Sequence, residues 1–215
     1  MARIICYGSL AVDRLIRLPR WIVPGDDLHA LQEADYAGGT ALNVGLTLHG
    51  WGHEVLVGGN VLGEDWAARL IDRRLGELGL DRRWLARSPE RNTVTCTILV
   101  TPEGERTIIG HAFGVAQAGP LPPLEGAAAL SIDNYGPGRI AIARQAKAAG
   151  LLVSASDVHE LDHPMLPLLD LVTYSRALAE RELGGGELDG WAAAVAGAGP
   201  RWIAITDGEG PGRLW

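Results

Sequence analysis

Cysteine is scarce in this sequence, which has only two cysteines among its 215 residues. Small domains that depend on disulfides carry many more, so a disulfide framework is excluded as the basis of the fold. Cys6 and Cys96 both lie in apolar, strand-like runs. Each is therefore predicted to be a buried free thiol.

Long apolar runs are missing too. No stretch approaches the roughly 20 apolar residues that a membrane-spanning helix needs. Near the N-terminus, Arg3 is followed by only a short apolar run that ends at Gly8, unlike the layout of a secretory signal peptide. The sequence therefore predicts a cytoplasmic protein with no membrane partner.

An excess of basic residues is also missing. The 19 lysine and arginine residues are outnumbered by 26 aspartate and glutamate residues, which gives a formal net charge of −7. This balance disfavours a phosphate-backbone ligand, and nucleic acid is predicted not to be a partner. Arg69, Arg73 and Arg74 are interpreted instead as the solvated side of a helix.

What the sequence does contain is a regular alternation of short apolar strands and helices. A chain of this length, 47% hydrophobic, is enough for one α/β domain with a sizeable core. Strands are predicted at residues 3–7, 55–57, 129–132, 151–155, 169–174 and 201–206. Helices are predicted at 65–78, with Asp65 as the cap, and at 138–149, 176–183 and 188–196. The alternation predicts a doubly wound, mostly parallel α/β sheet.

Two regions interrupt this alternation and predict a small β flap. Residues 14–18 and 28–32 are predicted as short strands lying off the main sheet. Residues 93–100 are strongly β-prone, 101–104 form a turn, and 106–109 return as the second strand of a hairpin. Edge strands of such a flap often pair across a dimer, so a homodimer is a further expectation.

A glycine pair, Gly38-Gly39, opens a short apolar helix for which Thr40 is the predicted N-cap and Gly50 the residue after its end. The free N–H groups of that helix would receive a polar ligand, and Asn43 in its first turn suits hydroxyl groups. The alternative is a tight strand-to-helix turn followed by an ordinary surface asparagine.

Asp13 follows the first predicted strand within a few residues. In an open α/β sheet, ligands bind beyond the carboxyl ends of the strands, so this carboxylate is well placed to accept hydrogen bonds from a substrate. The alternative is a loop aspartate that caps a turn.

Together these features resemble the ribokinase-like, or PfkB, carbohydrate kinases over essentially the whole chain. The resemblance rests on Gly8 and Asp13, Gly38-Gly39 with Asn43, and the runs at 57–65, 104–106 and 205–210. It implies one Rossmann-like α/β domain over 1–215, with a β-sheet lid from about 14–33 and 93–110. It also implies transfer of a phosphoryl group from ATP, with Mg²⁺, to a hydroxyl of a sugar or nucleoside.

The resemblance also implies roles for individual residues. Asp13, Gly38, Gly39 and Asn43 would hold the substrate hydroxyls, and Arg106 would contact the substrate from the lid. The nucleotide would lie against two residues near the end of the last strand, Thr206 and Gly208. Such roles suit phosphoryl transfer, which depends mostly on positioning and charge stabilisation.

The sequence departs from the family after the strand at 169–174. The family usually has an asparagine there and a glutamate three residues later, for phosphate and metal contacts. This chain has Ser175 and Leu178 at those positions. Glu180 or Glu182 would have to substitute.

The second departure concerns the family's Gly-Ala-Gly-Asp motif, which supplies an anion hole and the catalytic base. Nothing in the 215 residues matches this motif, and the base would lie beyond Trp215. Without it, general-base and oxyanion stabilisation are both lost. The chain is therefore expected to be inactive, either as a truncated kinase or as a non-catalytic sugar-binding remnant.

Two other activities are less favoured. His159-Glu160-Leu161-Asp162-His163 matches the zinc-hydrolase pattern His-Glu-x-x-His, but Pro164 disfavours the helix that this pattern needs. The loop is interpreted as polar, with Asp157 near the rim of the site. A dehydrogenase that uses NAD would need a Gly-x-Gly-x-x-Gly run after the first strand, and only Gly8 stands there.

Overall fold

The computed structural model describes residues 1–133, 138–158, 160–183 and 187–215. The predicted α/β architecture is confirmed. A seven-stranded main sheet has the order β11-β10-β9-β8-β7-β1-β4. Its strands are β1 (Arg3–Gly8), β4 (Glu54–Gly59), β7 (Ala129–Ile132), β8 (Leu152–Ser156), β9 (Leu171–Ser175), β10 (Trp202–Asp207) and β11 (Gly210–Leu214). All neighbouring strands are parallel except β10 and β11.

A second sheet of four strands forms the lid, in the order β3-β2-β5-β6. Its strands are β2 (Ala11–Arg17), β3 (Gln32–Gly38), β5 (Val94–Val100) and β6 (Arg106–His111). The predicted hairpin at 93–109 is confirmed, and Gly104 closes its turn with an N–H bond to the carbonyl of Thr101. The strand predicted at 28–32 is wrong, because the pairing with β2 begins only at Gln32.

The helices are α1 (Thr40–Gly50), α2 (Trp66–Glu77), α3 (Arg139–Ala148), α4 (Arg176–Leu183) and α5 (Leu188–Gly197). Asp65 caps α2 as predicted, since its carboxylate accepts the Ala68 N–H at 2.9 Å. The predicted ends of α1 are wrong by one or two residues. Gly39 occupies the N-cap, and the left-handed residue after the helix is Gly52, with φ +85°, rather than Gly50.

Two hydrophobic clusters lie on the two faces of the main sheet. One joins α1 and α2 to β4 and one side of β1, around Cys6, Leu42 and Val57. The other joins α3, α4 and α5 to the opposite side of β1 and to β7–β10, around Ile5, Val172 and Ile203. Cys6 and Cys96 are buried and free, as predicted.

α1 and α2 cover only part of one face of the main sheet, and beyond β7 that face is exposed to solvent. α1 packs on β1, β4 and β7. On that same face, Leu152 in β8 is 53% exposed and Leu214 in β11 is 68% exposed. In β8 and β10, Val153 and Ile203 point the other way and are buried. One half of the sheet is therefore covered on both faces and the other half on one.

Candidate substrate-binding site

A cleft of about 680 Å³ lies between the lid sheet and the carboxyl ends of the main strands. Four of the residues predicted from the sequence line it together: Asp13, Gly39, Asn43 and Arg106. They come from β2, the β3–α1 junction, α1 and β6, so the fold gathers residues that are far apart in the chain. Partly polar clefts at this edge of an α/β sheet are the usual place for a ligand.

Asp13 lies inside strand β2 of the lid, not in a loop after β1. It pairs in register with Tyr36 on one side and Cys96 on the other. Burial raises the pKa of its carboxyl, while hydrogen bonds from the Cys96 thiol and the Gly39 N–H oppose that rise. Burial, followed by the negative charge of Asp13 and the hydrogen bond to it, raises the pKa of Cys96 to about 11, so this thiol stays protonated at neutral pH.

The two glycines bring the backbone close to this carboxylate. A Cβ on Gly38 would collide with the Asp13 carboxylate, although Gly38 itself is not in the cleft lining. Gly39 has φ +91°, and a Cβ there would collide with the Ser9 carbonyl. Both positions therefore require glycine, for close approach and, at Gly39, also for its positive φ.

The N-terminus of α1 is less open than the sequence suggested. The Thr40 N–H donates to the hydroxyl of Ser9 at 3.1 Å, so this group is already occupied. Asn43 is exposed, and its side chain remains available at the cleft surface. The helix thus presents an amide side chain to the cleft, with part of its N-terminus sealed.

Arg106 opens β6, the edge strand of the lid, opposite Val100. Its side chain is exposed and lies in the cleft lining with Ile98 and Ile108. A cation at the rim of a cleft remains partly in water, so it can pair with an anionic group at a small desolvation cost, and the ion pair is correspondingly weak.

Asp157 also lines the cleft, at the carboxyl end of β8, and its φ is +54°. Its N–H donates to the Thr173 carbonyl at 2.9 Å, which holds the loop to β9. A non-glycine residue at positive φ is uncommon and often marks a functional position. Asp13, from the lid, and Asp157, from the end of β8, thus both line the cleft.

Sequence reasoning missed a buried acid beside the cleft, Asp133. It follows β7 directly and forms an ion pair with Arg139, Nε to Oδ1, at 3.1 Å. It also accepts hydrogen bonds from the N–H and the hydroxyl of Ser9. The strand at 129–132 was predicted correctly, so the rule that pointed to Asp13, an acid just past a strand, could have found this residue as well.

Thr206 and Gly208 lie apart from this cleft, at the carboxyl end of β10 and in the turn before β11. Thr206 is exposed and donates its hydroxyl to the Tyr174 carbonyl at 3.3 Å. Gly208 has φ +54°, and a Cβ there would meet nothing within 4 Å. The two are on the same edge of the main sheet as the cleft, but three strands (β9, β8 and β7) separate β10 from β1.

Both family positions that differ after β9 have local structural roles. The Ser175 hydroxyl accepts the Leu178 N–H at 3.2 Å, and Leu178 is buried in the core. Glu180 faces Arg176 at 3.6 Å along the helix, and Arg176 also contacts Asp207 at 2.7 Å. Glu182 lies beside Arg181 at 3.5 Å.

Of the zinc-hydrolase pattern, His159 is outside the described residues. His163 accepts the Met165 N–H on Nδ1 at 3.2 Å, within a turn. In the described part of the chain, no three histidine, cysteine or acidic side chains are grouped so as to hold a metal ion. That part also has no helix long and apolar enough to cross a bilayer.

A mostly parallel sheet, a four-stranded lid over its carboxyl edge and a polar cleft between them define the ribokinase-like class of α/β proteins. The family model of pfkB carbohydrate kinases matches residues 1–211, and the chain belongs to that family. None of the curated proteins matches the chain.

Solved structures share the fold at low sequence identity. Ribokinase from Arabidopsis thaliana, complexed with ribose and ATP, has a TM-score of 0.80 at 18% identity, and the match covers all of this chain and 74% of that one. A nucleoside kinase from Methanocaldococcus jannaschii gives 0.75 at 18%, covering 100% and 73%. A microbiome-derived acarbose kinase gives 0.76 at 20%, covering 100% and 73%. The chain thus spans about three quarters of each.

Proposed function

We propose that the cleft binds a sugar or nucleoside through its hydroxyl groups, and that the site belongs to a kinase that transfers the phosphoryl group of ATP to one of them. The observation that carries this proposal is the convergence of Asp13, Gly39, Asn43 and Arg106 in one cleft under the lid. Each of the side chains is of a type that recognises hydroxyls or anions, and the glycine lets the ligand approach the main chain.

Asp13 is the main determinant of substrate binding in this proposal. An ionised carboxylate accepts hydrogen bonds from two hydroxyls, and its burial strengthens them because water competes less. The Asn43 amide adds a donor and an acceptor from the first turn of α1. Arg106 would contact the ligand from the lid.

ATP would lie at the carboxyl end of β10, against Thr206 and Gly208. The open surface of this turn fits that role, since Gly208 is exposed and the space beside it is free. ATP supplies the phosphoryl group, and Mg²⁺ would come with it, held mainly by phosphates and water. Glu180 and Glu182 each face an arginine, so neither is proposed as a metal ligand.

Whether the chain also turns over its substrate is a separate question from binding. No Gly-Ala-Gly-Asp motif is present in the 215 residues, and the predicted catalytic base is not among them. For this chain, we therefore propose sugar binding without measurable phosphoryl transfer. The cytoplasmic location and the lid-to-lid homodimer remain predictions.

The test is calorimetric titration of the purified chain with D-ribose, adenosine and acarbose, each with and without ATP and Mg²⁺. We expect saturable binding of at least one compound, and at least a tenfold loss of affinity in Asp13→Asn, because a charged hydrogen-bond acceptor is removed. Asp35→Asn is the matched control. This acid lies on the opposite face of the lid, paired with Arg14 at 2.8 Å.

Phosphorylated product is measured in the same samples. Product formation would overturn the proposal that this chain binds without turnover, and would leave the binding assignment intact. Equal affinities in Asp13→Asn and the parent chain would remove Asp13 from the site. Absence of binding by all three compounds would contradict the proposed substrate class.

A further inference from the structure

The chain enters β2 of the lid and leaves β3 through two neighbouring crossings. Residues 8–11 lead from β1 into β2, and residues 38–40 lead from β3 into α1. The Ser9 hydroxyl joins them, because it accepts the Thr40 N–H at 3.1 Å. The carbonyl of Ser9 also lies directly against Gly39. The two crossings therefore meet at one serine, on the wall of the cleft.

Asp133 determines the orientation of the Ser9 hydroxyl. Its Oδ2 accepts the Ser9 hydroxyl proton at 2.7 Å and the Ser9 N–H as well. Because an ionised carboxylate can only accept, the serine must donate to it, which leaves the oxygen lone pairs facing Thr40. One carboxylate thus orients both the serine side chain and the backbone that carries it.

The carboxylate is itself held in place. Its side chain is fully buried, and the paired Arg139 side chain is 8% exposed. The Arg139 guanidinium lies over the Tyr7 ring, 5.6 Å from its centroid. A buried ion pair with several hydrogen bonds is costly to disturb, so its geometry is well defined. The rigid main sheet thereby sets the position of Ser9.

Asn60 holds the next residue from the opposite side. Its Oδ1 accepts the Leu10 N–H at 2.7 Å, and its Nδ2 donates to the Leu10 carbonyl at 3.2 Å. Asn60 is buried, with 3% exposed. The first crossing is therefore fixed from both sides at two consecutive residues.

We propose that Asp133 is a positioning residue for substrate binding. Acting through Ser9, it holds the two lid crossings together, so that Gly39, Asn43 and Asp13 keep the spacing that a hydroxylated ligand requires. Asp133 does not line the cleft itself, so this role is distinct from substrate contact. The inference rests on the proposed function, because the ligand whose contacts are positioned is the sugar or nucleoside.

Two variants test the proposal with different risks. Asp133→Asn keeps the shape but removes the charge that pairs with Arg139. Ser9→Ala removes only the hydroxyl, so it remains informative if the first variant does not fold. For each we expect about tenfold weaker binding of whichever of D-ribose, adenosine or acarbose the parent chain binds. Ser9→Thr, which keeps a hydroxyl, should restore most of the affinity.

Asp170→Asn is the matched control. Asp170 also joins a cation and a backbone N–H, since it contacts Lys147 at 2.6 Å and the Val153 N–H at 2.9 Å. It lies in the other half of the main sheet, away from the cleft lining. We expect this variant to lose stability without losing affinity. Equal loss of affinity in Asp170→Asn and Asp133→Asn would reduce Asp133 to a general structural role and overturn the proposal.

Hydrogen exchange of the ligand-free protein separates this inference from the proposed function. In Ser9→Ala and Asp133→Asn, the Thr40 amide should exchange at least tenfold faster than in the parent chain, while the amides of β9 and β10 are unchanged. If no compound binds but this pattern appears, the proposed substrate class fails and the joining of the crossings stands. Unchanged exchange at Thr40 in both variants would overturn the inference whatever binds.

Discussion

The two halves of the main sheet differ in what covers them. β1 and β4 have α1 and α2 on one face and the other hydrophobic cluster on the opposite face, whereas β8 to β10 are packed by helices on one face only. Parallel sheets are normally buried on both faces, and their strands then form continuous apolar runs. In β1, Ile5, Cys6 and Tyr7 are all buried; in β8, Val153 is buried while Leu152 is half exposed. The cleft extends from the fully covered half, at Ser9 after β1, to the end of β8, at Asp157.

The half of the sheet that is covered on both faces is expected to be the more rigid support for a binding site. Ser9, which lines the cleft, and its neighbour Leu10 are held on two sides, by Asp133 and Asn60. The predicted nucleotide residues, Thr206 and Gly208, lie in the half whose second face is open to solvent. Substitutions on covered and on open faces of the strands can be compared. They test whether packing against a face, rather than strand length or composition, decides how much a residue contributes to the free energy of unfolding.

The largest effect is expected on the covered face of the second half. Ile203 is 1% exposed, so Ile203→Ala should leave a cavity and lower the free energy of unfolding by about 3 kcal/mol. Urea denaturation followed by circular dichroism measures this loss. A loss below about 1 kcal/mol would mean that β10 is loosely packed on both faces, and the contrast between its faces would disappear.

The next largest effect concerns the crossing at Gly39. Gly39→Ala should cost about 2 kcal/mol or more, since it combines a positive φ with a collision against the Ser9 carbonyl. Gly25→Ala is the matched comparison, because Gly25 also has φ +91° but a Cβ there would meet nothing within 4 Å. Thermal unfolding of both variants isolates the cost of the collision. Equal losses of stability in the two variants would show that the backbone around Gly39 and Ser9 shifts at little cost to accommodate the added methyl group.

A smaller, pH-dependent effect is expected at Asp13. Its pKa is raised above the ordinary 3.8, so ionisation opposes folding, and the favourable contribution present at low pH is lost as the pH rises through the folded-state pKa. Asp13→Asn should therefore become progressively more stable than the parent chain above about pH 4, while binding sugar less well.

Asp35→Asn should show the opposite trend. Hydrogen bonding to Arg14 lowers the pKa of Asp35, so its contribution is present at neutral pH and is lost as the pH falls. Denaturation of both variants between pH 3 and about 7 compares the slopes. The same sign of slope for both would contradict the assigned environment of Asp13.

The smallest effect is expected on the open face of β8. Leu152 is 53% exposed, so Leu152→Ser should change the free energy of unfolding by less than about 0.5 kcal/mol. Val153→Ala, one residue away on the covered face, should cost more than 1 kcal/mol by the estimate of about 0.8 kcal/mol per buried methylene plus a cavity. Reversal of that order would mean that the Leu152 face is covered in solution.

Local patterns predicted most of the elements because their causes are local. The strand at 129–132 and the helix at 176–183 were predicted with the observed limits. Asp65 was identified as a cap because a cap acts within three residues. The predicted strand at 28–32 failed where pairing across the lid decides the outcome: β3 runs from Gln32 because β2 pairs with it there, and no signal within residues 28–38 marks that register.

The sequence by itself determined the α/β class, the two free thiols, the antiparallel hairpin and the family motifs around Gly39 and Asn43. Only the tertiary structure placed Asp13 inside a lid strand and brought Asp133 to Ser9, 124 residues away along the chain. It also decided which strands are covered on both faces. The physical reason is that the periodicity of apolar residues and helix capping depend on residues close in sequence. A side-chain contact between two sheets depends instead on strand register and on the conformation of the segments that connect the sheets.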